Sequence, residues 1–245
     1  MLLNFLGRGS CFADDHNSAF FVTEDNDFVL IDCSEQTFQR LKNEFIFSAH
    51  NNIYVYITHT HTDHINGLGA LIHYVYYVYG KQLMVIAPSL IVMNDIKKHL
   101  RIEGVESFKY SITHTLDFIT SLLVPKPEMI PQNVYGASIP TEHTLPLKDK
   151  TFGYRFNIRG VNVVYTGDTA ILDPFFVHLD KGSEFYVDTS VIYKSDVHLW
   201  LFDMLPTLKE LVSKEVKVYL MHLDNIERAH EAIRDIPGID IVSLY

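Results

Sequence analysis

Short apolar runs alternate with amphipathic segments along the whole chain, and this alternation predicts strands and helices in turn. Residues 1–6, 18–23 and 28–32 read as strands, the last ending in an acid, and 37–47 as a helix. The run IYVYIT at 53–58 is β-branched and aromatic, as in a buried strand. Residues 65–79 follow as a helix broken at Gly80. Residues 83–87 form a strand stopped by Pro88, and 89–100 a further helix. The stretch 125–146 carries five prolines and no period, and reads as loop. Beyond it, 152–158 and 161–166 resemble a hairpin turning at Arg159-Gly160. Strands at 185–187 and 216–221 bracket a helix from 198 to 212, and 227–234 reads as a solvated helix. There is no internal repeat and no low-complexity tract. The expectation is one layered α/β domain over residues 1–245.

Composition narrows the class. The 245 residues are 47% hydrophobic and 20% charged, which suits a globular protein with a sizeable core. No run is long and apolar enough to span a bilayer, and residues 1–12 lack the pattern of a secretory signal, so no membrane partner is expected. Two cysteines, Cys11 and Cys33, imply no oxidised framework; both read as buried thiols, and a cytoplasmic location is the simpler reading. The net charge of −10 weighs against a broad surface for long nucleic acid, whose grip depends on Lys and Arg.

The candidate chemistry starts at the end of the 53–58 run, with His59-Thr60-His61-Thr62-Asp63-His64. Three imidazoles and a carboxylate within six residues are donors suited to zinc and its neighbours, and a strand end followed by a tight loop can aim several of them at one spot. Three later segments each place one more potential ligand near a strand terminus: Glu142-His143-Thr144, Thr166-Gly167-Asp168-Thr169 and Met221-His222-Leu223. Each alone is an ordinary turn or surface residue; together, in this order, they form a pattern. His16, His50, His73, His99, His114, His178 and His230 have no such partners and read as core or surface residues.

The order HTHTDH, EHT, TGDT, MHL resembles the metallo-β-lactamase superfamily over nearly the whole chain. The segments FLGRGSC, LIDCSEQT and GYRF…VVYTGDT resemble its ribonuclease Z-like branch, which includes cyclic-nucleotide phosphodiesterases of the anti-Pycsar type, phage proteins that destroy pyrimidine cyclic nucleotides. The resemblance implies a four-layer αβ/βα sandwich. It also implies two divalent ions, zinc before manganese: one on His59, His61, His143 and Asp168, the other on Asp63, His64, Asp168 and His222, with Asp168 bridging. Ser34 and Gln36 depart from it, standing where the branch has glycines.

Asp188, in Tyr186-Val187-Asp188-Thr189-Ser190, and His198 stand where that branch carries an acid–histidine pair that protonates the leaving oxygen. The implied activity is hydrolysis of small 3′,5′-cyclic nucleotides to monophosphates by a metal-bridging hydroxide, which Asp63 helps to orient. The long basic arm of the tRNA-processing relatives is absent. Tyr74, Tyr76, Tyr77 and Tyr79 are candidates for stacking a base or, by resemblance to dimeric relatives, for a homodimer surface. The alternatives are a carbonyl hydrolase of the same fold, a thioesterase or lactonase, and a protein that sequesters a nucleotide without turnover.

Overall fold

The computed structural model describes residues 1–116 and 130–245. Among these, twelve strands form two mixed six-stranded sheets. The first contains β1 (Asn4–Gly7), β2 (Ser18–Val22), β3 (Phe28–Ile31), β4 (Ile53–Tyr56), β5 (Leu83–Ala87) and β6 (Tyr110–His114), in chain order across the sheet. The second contains β7 (Gly136–Pro140), β8 (Phe152–Ile158), β9 (Val161–Tyr165), β10 (Glu184–Asp188), β11 (Lys217–Met221) and β12 (Ile239–Ile241), again in order. In each sheet the first two pairings are antiparallel and the remainder parallel.

The period of two in the parallel strands builds the layers. Tyr54 and Tyr56 of β4, with Val29 and Ile31 of β3, point into a core shared with Tyr165 of β9 and Tyr186 of β10. Their neighbours Ile53, Val55, Phe28 and Leu30 point the other way. There they meet Phe38 and Leu41 of α1 (Glu35–Glu44), Leu71, Ile72 and Val75 of α3 (Leu68–Tyr79), and Val92 and Ile96 of α4 (Leu90–Ile102). On the far side Phe185 and Val187 meet Met204 and Leu208 of α5 (Leu201–Ser213) and Ala229 and Ile233 of α6 (Ile226–Ile233). Three apolar cores thus separate four layers, helix–sheet–sheet–helix. This is the metallo-β-lactamase-type αβ/βα sandwich expected. No helix of the described residues is long and apolar enough to cross a membrane.

Differences from the sequence reading have local causes. The expected helix at 65–79 is two pieces, α2 (Thr62–Ile65) and α3, because the chain turns at Asn66-Gly67; a Cβ on Gly67 would collide with the Ser34 carbonyl. Part of the expected loop 125–146 is β7, whose buried residues 136–139 pair with β8, and residues 125–129 lie outside the described set. Ser34 caps α1: its hydroxyl accepts from the backbone N–H of Thr37 at 3.1 Å.

Candidate metal centre

Four of the groups singled out from the sequence sit at or just beyond the C-terminal end of a parallel strand, where open α/β sheets collect ligands, whereas His143 follows the antiparallel β7 and His198 lies between β10 and α5. His59 follows β4, Asp168 follows β9, Asp188 closes β10 and His222 follows β11. Asp188 and Met221 are register partners, so His222 emerges beside the Asp188 carboxylate. His61 precedes α2, and the short turn of α2 points Asp63 and His64 back at the same spot. Gly167 has φ +61°, and a Cβ there would lie 2.6 Å from the Phe152 carbonyl; only glycine turns this tightly before Asp168. His222 itself holds φ +54°, a costly backbone for a non-glycine residue.

The seven expected ligands come together. One ligand atom each from His59, His61, His143 and Asp168 lie within 4.8 Å of one another, as do those of Asp63, His64, Asp168 and His222. Asp168 belongs to both sets. Its Oδ2 lies 3.8 Å from Nε2 of His59 and of His143 and 3.3 Å from Nε2 of His222, while its Oδ1 lies 3.3 Å from Nε2 of His64. No other histidine of the described residues joins either set.

The outer faces of the rings decide what the inner faces offer. His143 Nδ1 donates to the Val197 carbonyl at 2.6 Å. His64 Nδ1 meets Asp32 at 2.8 Å, and His222 Nδ1 meets Asp188 at 3.2 Å. Thr58 donates its hydroxyl to Asp32 at 2.8 Å, so at 3.0 Å it accepts from His59 Nδ1. In the neutral form of these four rings the outer nitrogen carries the proton, which leaves the inner Nε2 a lone pair. Nε2 of His64, Nε2 of His222 and Oδ1 of Asp168 are buried without a hydrogen-bond partner. Converging lone pairs and carboxylates of this kind are what divalent cations satisfy, so the residues fit two such ions.

The protonation equilibria divide the rings into two groups. Burial holds His59, His61 and His143 below the ordinary imidazole value, in the neutral form that ligates metal. Burial would lower His64 and His222 too, but the Asp168, Asp63, Asp32 and Asp188 carboxylates outweigh it and raise both. Burial pushes the Asp63 and Asp168 carboxyls up, and the facing imidazoles bring both well below the usual range. The pocket thus keeps two carboxylates ionised and draws in positive charge.

Asp188 and His198 are also brought together. Asp188 is fully buried; its Oδ2 lies 2.8 Å from His198 Nδ1 and accepts the Thr169 N–H at 2.9 Å. The His198 ring lies 4.8 Å from that of His143 and 5.0 Å from that of His222. A cavity of about 530 Å³ opens over the centre, lined among others by Asp63, Asp168, His198, Phe12 and Tyr193.

Three readings need correction. Tyr74, Tyr76, Tyr77 and Tyr79 do not line this cavity: Tyr74 and Tyr79 pack against Phe38 and Phe47, and Tyr77 is exposed on the outer face of α3. Cys11 is exposed on the loop after β1, whereas Cys33 is buried as expected. Asp32, which orients His64 and Thr58, was not among the expected site residues; the acid ending the 28–32 run was the available signal.

Comparison with known proteins agrees with this architecture. A family described as Anti-Pycsar protein Apyc1 matches residues 1–236. A protein of that name from Bacillus phage 010DV004 is 26% identical over 251 residues, covering 93% of this chain and 91% of its own. The metallo-beta-lactamase fold protein YhfI from Bacillus subtilis superposes with a TM-score of 0.72 at 16% identity, covering 99% of this chain and 95% of that one. Zn(2+)-bound PqqB from Methylobacterium extorquens superposes with a TM-score of 0.73 at 12% identity, covering 100% and 98%. At these identities the two structures show the fold.

Proposed function

The chain belongs to the anti-Pycsar Apyc1 family, and from that premise we propose that it is a metal-dependent phosphodiesterase that hydrolyses small 3′,5′-cyclic nucleotides to nucleoside monophosphates in the cytoplasm. The observation that carries the reaction type is the Asp188–His198 pair, 2.8 Å apart, at the wall of a cavity floored by two metal-ligand sets. An alkoxide leaves a phosphodiester poorly unless it is protonated, and a positioned imidazolium answers that need.

His59, His61, His143 and Asp168 would hold one divalent ion, and Asp63, His64, Asp168 and His222 the other, zinc or manganese. When bound, the ions supply Lewis acidity toward phosphoryl oxygens and make water nucleophilic near neutral pH. The protein's residues do the rest. Asp63 accepts a hydrogen bond from the attacking water and fixes its direction. Asp188 accepts a hydrogen bond from the Nδ1–H of His198, leaving Nε2 to hold a second proton. Burial lowers His198, but the Asp188 carboxylate outweighs it and raises the ring, which favours the protonated form a general acid needs. His198 then gives that proton to the departing ribose oxygen.

The test is chromatographic assay of metal-loaded protein against a panel of 3′,5′-cyclic nucleotides. Conversion to monophosphates that stops with chelator and with Asp168→Ala is expected. Absence of turnover of every member, in protein shown to hold two metals, would overturn the proposal. A homodimer, joined through the outer face of α3, completes the reading.

A further inference from the structure

Two exposed aromatic rings stand at the mouth of the metal cavity, and nothing in the folding of the chain requires them there. Phe12 is 97% exposed and Tyr193 is 76% exposed, and both line the cavity that contains Asp63, Asp168 and His198. Rings left in water forgo the burial that ordinarily stabilises such side chains.

Both rings ride on loops that are held firmly at their bases. In the loop carrying Phe12, the Gly9 N–H bonds to the Asp15 carbonyl and the Asn17 N–H to the Gly9 carbonyl, each at 2.8 Å. A Cβ on Gly9 would fall onto the Ala13 side chain, so the loop closes tightly. It is further tied to the strand end after His222, by Ser10 N–H to the Leu223 carbonyl at 3.0 Å and Leu223 N–H to the Arg8 carbonyl at 2.8 Å. The loop carrying Tyr193 is tied to the next residue of that strand end. The Asp224 carboxylate accepts the N–H groups of Val191 at 2.8 Å and Ile192 at 2.9 Å, and lies 2.6 Å from the Ser190 hydroxyl. Leu223 and Asp224 therefore anchor both loops to the strand end that carries His222, which fixes the loop bases relative to the centre before anything binds.

We propose that Phe12 and Tyr193 form a pre-set aromatic clamp that takes the base of a nucleotide whose phosphate lies over the metal-ligand sets. The inference rests on the nucleotide reading of the site and names the residues that recognise the base. Flat π-faces on rigid loops are the low-entropy way to hold a purine or pyrimidine ring, and stacking tolerates either. With a net charge of −10 the chain offers little positive charge overall, so apolar stacking gives the base its affinity.

Calorimetric titration of the metal-loaded protein with a nucleoside 5′-monophosphate and, separately, with inorganic phosphate tests this without relying on turnover. The wild-type protein is expected to bind the monophosphate more tightly than phosphate. Phe12→Ala and Tyr193→Ala should each weaken the monophosphate by about five- to a hundredfold while phosphate affinity stays within about twofold. Phe12→Trp and Tyr193→Phe should restore it. Equal affinity for the two probes in the wild type, or an unchanged ratio in the alanine variants, overturns the clamp. Wild-type turnover of cyclic nucleotides, assayed alongside, tests the hydrolase reading separately: turnover with an unchanged ratio removes the clamp alone. A collapsed ratio without turnover leaves the clamp standing and removes the hydrolase.

Discussion

The Asp188 carboxylate holds His198 Nδ1 at 2.8 Å through one oxygen and faces His222 Nδ1 at 3.2 Å through the other, so one buried acid supports both the proposed proton donor and a proposed metal ligand. The two roles can be separated. His198→Ala removes only the donor. It should slow cleavage of a cyclic nucleotide by about 10²- to 10⁴-fold and hardly slow an ester with a p-nitrophenolate leaving group, with metal content unchanged. Asp188→Asn should add a loss of metal affinity of about 10- to 100-fold, read by competition with a chelator. Equal losses on both esters for His198→Ala would remove His198 from leaving-group protonation.

Asp32 supports the other side of the centre. It is fully buried at φ +62°, accepts the Thr58 N–H and hydroxyl at 2.8 Å each, and meets His64 Nδ1 at 2.8 Å. Asp32→Asn keeps a side chain that tolerates the left-handed backbone but loses one acceptor oxygen. Metal affinity should fall by about 10- to 100-fold with the fold intact by circular dichroism. Unchanged affinity would show that packing alone orients His64.

The residues that this chemistry needs were legible to different degrees, for physical reasons. His59, His61, Asp63 and His64 are dense in sequence because one strand end and one turn present them together. His143, Asp168 and His222 are single residues whose meaning comes only from their order after that cluster. Asp32 is one acid after one strand, and its left-handed backbone leaves no mark in the sequence. Among the strands, β4 was plain because a parallel strand buried on both faces is continuously apolar, and β11 was plain from Val218 to Met221 despite the exposed Lys217. Three of the four edge strands were not, although β1 was. β6 reads YSITH and is half-buried throughout, β7 is GASIP with a glycine and a proline, and β12 has three residues. The burial expected of Cys11 and the base-stacking place considered for the tyrosines of α3 failed because residue type does not report which way a loop tip or a helix face points.

The outer face of α3 leads to a prediction about assembly. Tyr77, Val78, Phe108 and Ile102 are 68%, 58%, 57% and 85% exposed, and the Tyr76 ring contacts both Tyr77 and Phe108. An exposed aromatic group of this kind suits a self-complementary interface. Light scattering should give twice the chain mass of 28.2 kDa for the wild type, and Val78→Asp with Phe108→Asp should weaken the dimer at least about tenfold. A monomeric wild type, or a double variant that remains dimeric at the same concentration, would place the interface elsewhere or remove it.

His178 should make stability fall on mild acidification. It is buried at the end of the short 3-10 turn Asp173–His178; burial, with the Arg155 guanidinium nearby, pushes its imidazole from 6.5 down to about 4. In the unfolded chain the same ring takes its proton near 6.5. Between those values the unfolded state therefore binds more protons than the folded state, and stability rises with pH across the window. The contribution is fully present above 6.5, is lost progressively as pH falls toward 4, and changes no further below it. His178→Gln, uncharged at every pH, removes the linkage. The difference in denaturant-derived stability between variant and wild type should shift in the variant's favour as pH drops from 7 to 4, with a slope approaching one proton. Parallel stability profiles across that range would show that the folded protein accommodates the imidazolium, and would remove His178 as a cause of acid sensitivity.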